Sequence, residues 1–150
     1  MITETKYFGE IEYDEDELIL FPRGLYGFDE ETRFLLLPFS EAGGLFSLQS
    51  AATPQLAFVV MNPFALDPDY APVLLPEELK ELEAERSEEL FYYAMCVVRE
   101  PVGESTLNLK CPLAINGETR KGMQVILEGD LYRMRHRLDS FGAQGGELLC

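Results

Sequence analysis

No apolar run in this 150-residue chain approaches the roughly 20 residues that a membrane-spanning helix requires. The opening stretch, MITETKYFGE, lacks the basic and apolar regions of a secretory signal. Three cysteines, Cys96, Cys111 and Cys150, are too few and too scattered for a disulfide framework. Together these absences lead to the expectation of a cytoplasmic protein with no membrane association. Histidine occurs once, at His136, and no His or Cys pair has metal-ligand spacing. The acidic turn Asp14-Glu15-Asp16-Glu17 lacks the glycine and the spaced glutamate of a calcium loop. No glycine-rich segment leads into a helix to cradle phosphate, and no nucleophile–base pair stands out. The expectation is a protein without cofactor, without metal and without catalysis.

Basic residues are also scarce. The chain has 12 Lys and Arg against 27 Asp and Glu, a net charge of −15. Residues 1–98 hold 5 of the basic and 20 of the acidic residues, so the whole excess lies in the first two-thirds. Such a surface repels phosphate backbones, which argues against direct nucleic-acid binding and suits a basic partner.

Hydrophobic residues make up 47% of the chain, enough for one packed domain. They fall mostly in short runs bounded by Gly, Pro, Asn and Asp, the pattern of strands. Residues 3–21 read as an opening hairpin, with Gly9 as a bend and the acidic turn before Leu18–Phe21. FPRGLYGF, residues 21–28, is a loop by its glycines and too aromatic to be wholly solvated. It either caps a core or presents a binding surface. RFLLLPF, LFSLQS, LAFVVM and LFYYAMCVVR read as further strands. Residues 63–76 hold four prolines and are expected to be extended. Glu77–Glu89, entered through Pro76, is the expected helix, packed on the surface through Leu79 and Leu82.

Leu107–Leu127, LNLKCPLAINGETRKGMQVIL, is expected to be a hairpin. Leu107, Leu109, Cys111 and Leu113 share one face, Pro112 marks an edge or a bulge, and Asn116-Gly117 takes positive φ at the reversal. Cys96 and Cys111 lie in apolar runs as inert core thiols. LYRMRHRL, residues 131–138, is the last expected strand. Its alternating Arg133, Arg135 and Arg137 either bind phosphate or neutralise acidic neighbours in the sheet, and the charge asymmetry favours the second. Eight to ten strands with one short surface helix predict a mainly β, single-domain antiparallel barrel or sandwich.

Four blocks, in order, resemble the flagellar assembly factor FliW family. They are TKYFGEIEYDEDELILFPRGLYGF, LFSLQSAATPQLAFVVMNPFALDPDY, the 107–127 hairpin with TRKGMQVIL, and YRMRHRL. The resemblance implies a β-domain over 1–138, and the Gly-rich composition of 139–150 leads to the expectation of a flexible tail. It implies a cytoplasmic, non-enzymatic regulator that binds flagellin and also CsrA, a small RNA-binding translational repressor. Export of flagellin would then free the protein to antagonise CsrA, coupling flagellin synthesis to flagellar assembly. The alternative is a small acidic β-barrel binding module for a small molecule or another protein. Candidate partner-binding residues fall in three groups. Gly24, Tyr26 and Phe28 lie in the aromatic loop. Phe64, Asp67, Asp69 and Tyr70 lie in the proline-rich segment. Asn116, Thr119, Arg120 and Lys121 lie at the hairpin tip. Each group admits a fold-holding role beside a binding one.

Overall fold

The computed structural model describes residues 1–39 and 44–141. The expected runs become strands β1 (Ile2–Thr5), β2 (Gly9–Glu12), β3 (Ile19–Leu20), β4 (Arg33–Pro38), β5 (Leu45–Ser50) and β6 (Ala57–Met61). After helix α1 (Pro76–Glu81) follow β7 (Phe91–Val97), β8 (Thr106–Leu107), β9 (Leu113–Asn116), β10 (Lys121–Gln124) and β11 (His136–Arg137). Strands β3–β4–β5–β6–β7 pair in sequence, β7 also pairs β9, β9 pairs β10, and β10 returns to β3. The result is a closed seven-stranded barrel, with β8 and β11 added alongside the end of β7.

Alternation along the strands sorts the side chains. The barrel interior holds Ile19, Phe34, Leu48, Val60, Leu113 and Ile115, all buried, with Phe46, Tyr93 and Met95 packed against them. The opposite faces of β6, β7 and β9 carry a second core of Met61, Tyr92, Ala94 and Ala114. The proline-rich segment and α1 cover it through Leu66, Tyr70, Leu74 and Leu82. A third cluster, Tyr13, Leu18 and Leu35, seats the small β1–β2 sheet on the outside of β4. Buried Gln49 ties this sheet down. Its Oε1 accepts from the Lys6 amide at 2.9 Å, and its Nε2 donates to the carbonyls of Ser50 and Pro54.

Several expectations need correction. The opening hairpin is β1–β2 alone, turned at Gly9 (φ +66°), and residues 18–21 join the barrel through β3. One barrel pairing, Leu20 with Lys121, is parallel, because β3 and β10 close the barrel without a hairpin between them. The hairpin arm from Leu107 is interrupted. Asn108 Oδ1 accepts from the amides of Lys110 and Cys111, a local turn that competes with strand pairing just before Pro112. The inward set Leu107, Leu109, Cys111 and Leu113 is nonetheless buried as expected. At the reversal the positive φ belongs to Arg120 (+61°), not to Asn116-Gly117, since four residues separate the paired Asn116 and Lys121.

The helix ends six residues after it begins. Glu83 adopts φ +58° and a separate turn, Ser87–Glu89, replaces the expected continuation. After Leu82 the chain packs through Ala84, Ser87 and Leu90 along a non-helical path, with Ser87 Oγ accepting from the Leu74 amide at 3.0 Å. The last strand shrinks to His136–Arg137, so Arg133 and Arg135 sit outside it. Arg137 does neutralise acids, pairing with Asp139 at 2.5 Å and Glu104 at 3.8 Å, but not across a sheet face. Residues 138–141 form a 3-10 turn, and the rest of the Gly-rich tail, 142–150, lies outside the described residues.

Candidate functional site

The two ends of the barrel differ. Loop 21–28 closes one of them. Phe21 and Leu25 are buried in the interior, and the Phe28 ring stands edge-on to Phe58 at 5.2 Å. Gly24 (φ +67°) is needed for this closure. A Cβ there would run into the carbonyl oxygens of Phe28 and Asp29, the second at 2.6 Å. The loop therefore caps the core, and it also presents a surface. Tyr26 remains 56% exposed, its amide donating to Gln124 Oε1 at 3.0 Å. Partial burial, with Glu78 among the nearby acids, raises its phenol pKa.

Tyr26 looks into a groove of about 220 Å³ between the loop, α1 and β10. Glu77, Glu78 and Glu81 line one wall, Asp29 another, and Met123 and Gln124 the floor. Arg23 spans the groove to Glu81 at 2.8 Å. An aromatic and a methionine thus line the same groove as four carboxylates, one of them paired with Arg23. An apolar anchor in a charged rim suits the docking of a basic protein surface. Sequence reasoning found the loop but missed Glu77, Glu78 and Glu81 as its partners. Nothing in the order of residues links positions 23–29 with 77–81. The link exists only once the proline-rich segment has carried the chain around the barrel.

The proline-rich group divides. Tyr70 is 3% exposed, donates its hydroxyl to the Leu109 carbonyl at 2.8 Å and meets Tyr132 edge-on at 4.7 Å. It holds the segment to the barrel, the fold-holding role of the two considered, and burial pushes its phenol pKa far up. Asp67 caps its own turn by accepting from the Asp69 amide at 3.1 Å, with Asp69 exposed. Phe64 is half-exposed over Tyr70 and Tyr92, at the edge of a cleft of about 320 Å³ with Pro72, Val73 and Leu90. This cleft is separate from the acidic groove.

The hairpin-tip group also divides. Asn116 is structural: its amide donates to the Leu82 carbonyl at 2.8 Å, and its Oδ1 accepts from Glu118 and Thr119. Thr119 is exposed and accepts from the Lys121 amide. Lys121 pairs with Glu83 at 3.1 Å. Arg120 Nη2 donates to the Glu17 carbonyl at 2.7 Å. The tip lies at the barrel end opposite the aromatic loop. The structure therefore does not gather the three groups into one site.

The remaining sequence candidates for chemistry are quiet. Cys96 and Cys111 are buried, and burial raises both thiols, Cys96 to about 11. His136 Nε2 accepts from the Arg133 amide at 2.8 Å, and burial followed by the Arg133 charge lowers its pKa. Among the described residues no group of His, Cys, Asp or Glu gathers to hold a metal, and no helix is long and apolar enough to cross a membrane.

Comparison with known proteins decides the family. The profile described as FliW protein matches residues 2–138. The chain belongs to the FliW family. It is 35% identical over 145 residues to the flagellar assembly factor FliW of Shouchella clausii, covering 97% of this chain and 99% of that one. It is 41% identical over 144 residues to the Exiguobacterium protein of the same name, covering 96% and 99%. A solved structure described as a crystal structure of the flagellar assembly factor FliW superposes with a TM-score of 0.85 at 36% identity. That match covers 91% of this chain and 96% of the other. The family resemblance and the barrel both hold, and these relatives are named for assembly, with no catalytic activity in their names.

Proposed function

We propose that this FliW-family chain is a cytoplasmic, non-enzymatic partner switch that binds flagellin and the translational repressor CsrA. In this reading, flagellin occupies the protein until export draws flagellin away. The freed protein then captures CsrA, and flagellin mRNA is released for translation.

The observation that carries the reading is the acidic groove around Tyr26, in a chain whose relatives are named for flagellar assembly. CsrA binds RNA and so must present basic surface. Glu77, Glu78, Glu81 and Asp29 complement such a surface, and Tyr26 with Met123 gives it an apolar anchor. The 20 acidic residues among the first 98 then act beyond the contact itself. Held beside an RNA-binding dimer, they disfavour RNA without covering its site.

The test is calorimetric titration of the purified chain with CsrA of the same organism, repeated with flagellin present. Saturable CsrA binding that flagellin suppresses is the expected result. Absence of binding to either partner would overturn the reading.

A further inference from the structure

The barrel end opposite the aromatic loop is open among the described residues. Of the inward-pointing side chains there, Leu36, Phe91 and Tyr93 stay partly accessible, whereas Ile19 and Ile115 are buried. Ile19, Leu36, Phe91, Tyr93, Ile115 and Arg120 line a mouth of about 340 Å³. That volume lies at the lower end of the range of roughly 300–1,000 Å³ seen for small-ligand sites, and barrel mouths are a favoured place for them. Phe91 is 60% exposed even though it belongs to the inward set of β7, next to the Tyr93 and Phe46 rings, which meet edge-on at 5.4 Å. Its ring lies over Gly117, where a Cβ would approach within 2.7 Å.

Arg120 makes this mouth more than an apolar dent. Arg23, Arg86, Lys121 and Arg137 all reach carboxylates. Arg120, like seven other basic residues, forms no ion pair among the described residues, and it is set apart by its place in the mouth. Its Nε is enclosed without an acceptor, and its hydrogen bond goes to a neutral carbonyl, that of Glu17. Its charge reaches Tyr93, where it opposes the rise in phenol pKa that burial causes. A partly desolvated guanidinium without a counter-ion is unfavourable and is relieved by a carboxylate. The hairpin tip holds it there through a left-handed backbone, φ +61°, which is uncommon for arginine.

We propose that this mouth binds a small carboxylate with a planar apolar body, the ring lying against Phe91 and Tyr93 and the carboxylate facing Arg120. The site is independent of the partner reading above, because it uses the other end of the barrel.

The experiment is an amide-resolved NMR titration of the full chain with trans-cinnamate, repeated with the neutral trans-cinnamamide. Cinnamate is expected to shift the amides of Phe91, Tyr93, Gly117 and Arg120 in a saturable way at millimolar concentration or below. Cinnamamide is expected to bind about tenfold more weakly, the effect of losing one charge-assisted contact. Arg120→Asn keeps a residue that tolerates the left-handed backbone and should abolish the preference for the acid. Phe91→Ala, at an exposed position with little bearing on folding, should weaken both ligands alike. The proposal is overturned by an absence of saturable shifts at the mouth, by equal binding of acid and amide, or by a preference that survives Arg120→Asn in a folded variant.

Discussion

Two tyrosines of the candidate set show how little residue type says about role. Tyr26 and Tyr70 both sit in irregular, aromatic-rich backbone. Tyr26 is 56% exposed above the acidic groove, whereas Tyr70 is 3% exposed with its hydroxyl on the Leu109 carbonyl. Truncating the buried ring opens a cavity and orphans a carbonyl, so Tyr70→Ala is expected to cost about 3 kcal/mol of stability. Tyr26→Ala should change stability by no more than about 0.5 kcal/mol while weakening CsrA binding at least tenfold. Urea unfolding of both variants, with calorimetry on Tyr26→Ala, separates the roles. A large stability loss at Tyr26 would make that ring a cap and nothing else. The buried thiols admit a similar check. With Cys96 raised to about 11 and Cys111 also raised, neither forms much thiolate at neutral pH. Iodoacetamide should leave both unmodified in the native protein at pH 7.5 and label both in urea, as read by peptide mass spectrometry. Rapid native labelling of either would mean that its strand opens locally.

At the scale of elements, the short helix shows where local signals lose to packing. Pro76 and the following glutamates start α1 as read, and the Leu75 amide donates to Glu78 Oε1 at 2.8 Å. Its end is set by Glu83 at φ +58°, a position that suits glycine. Glu83→Gly should therefore raise stability by about 0.5 kcal/mol, since relief of the left-handed strain exceeds the loss of the exposed pair with Lys121. A lower midpoint in urea would mean that the ion pair outweighs the backbone term. Continuous apolar runs such as LAFVVM and LFYYAMCVV were legible as strands because each lies between two cores. The partners of short strands were not legible. β3 is two residues long, and its parallel bridge to β10 joins positions 20 and 121. The Leu107 arm looked continuous by its alternation, yet the Asn108 side chain turns it. The candidate site was half legible for the same reason. Tyr26 announced itself by its glycine neighbours, while Glu77, Glu78 and Glu81 were hidden in a chain where acids are everywhere.

On the scale of the whole molecule, the barrel has two chemically distinct ends and an uneven charge. The loop 21–28 end is plugged and faces carboxylates; the hairpin-tip end is open among the described residues and holds Arg120. If antagonism of CsrA rests on the field of the acidic excess, its strength must depend on screening. The Debye length falls from about 10 Å at 0.1 M salt to about 3 Å at 1 M. RNA binding by CsrA weakens with salt as well, so the informative quantity is a ratio. The affinity of CsrA for a flagellin leader RNA would be measured with and without saturating amounts of this chain across that range. The fold-reduction caused by the chain is expected to shrink by several-fold as salt rises, while CsrA itself stays bound. A fold-reduction that does not change with salt would reject field repulsion. It would leave either direct coverage of the RNA site or a change in the shape of CsrA, and a ternary complex seen by sedimentation at high salt would favour the second.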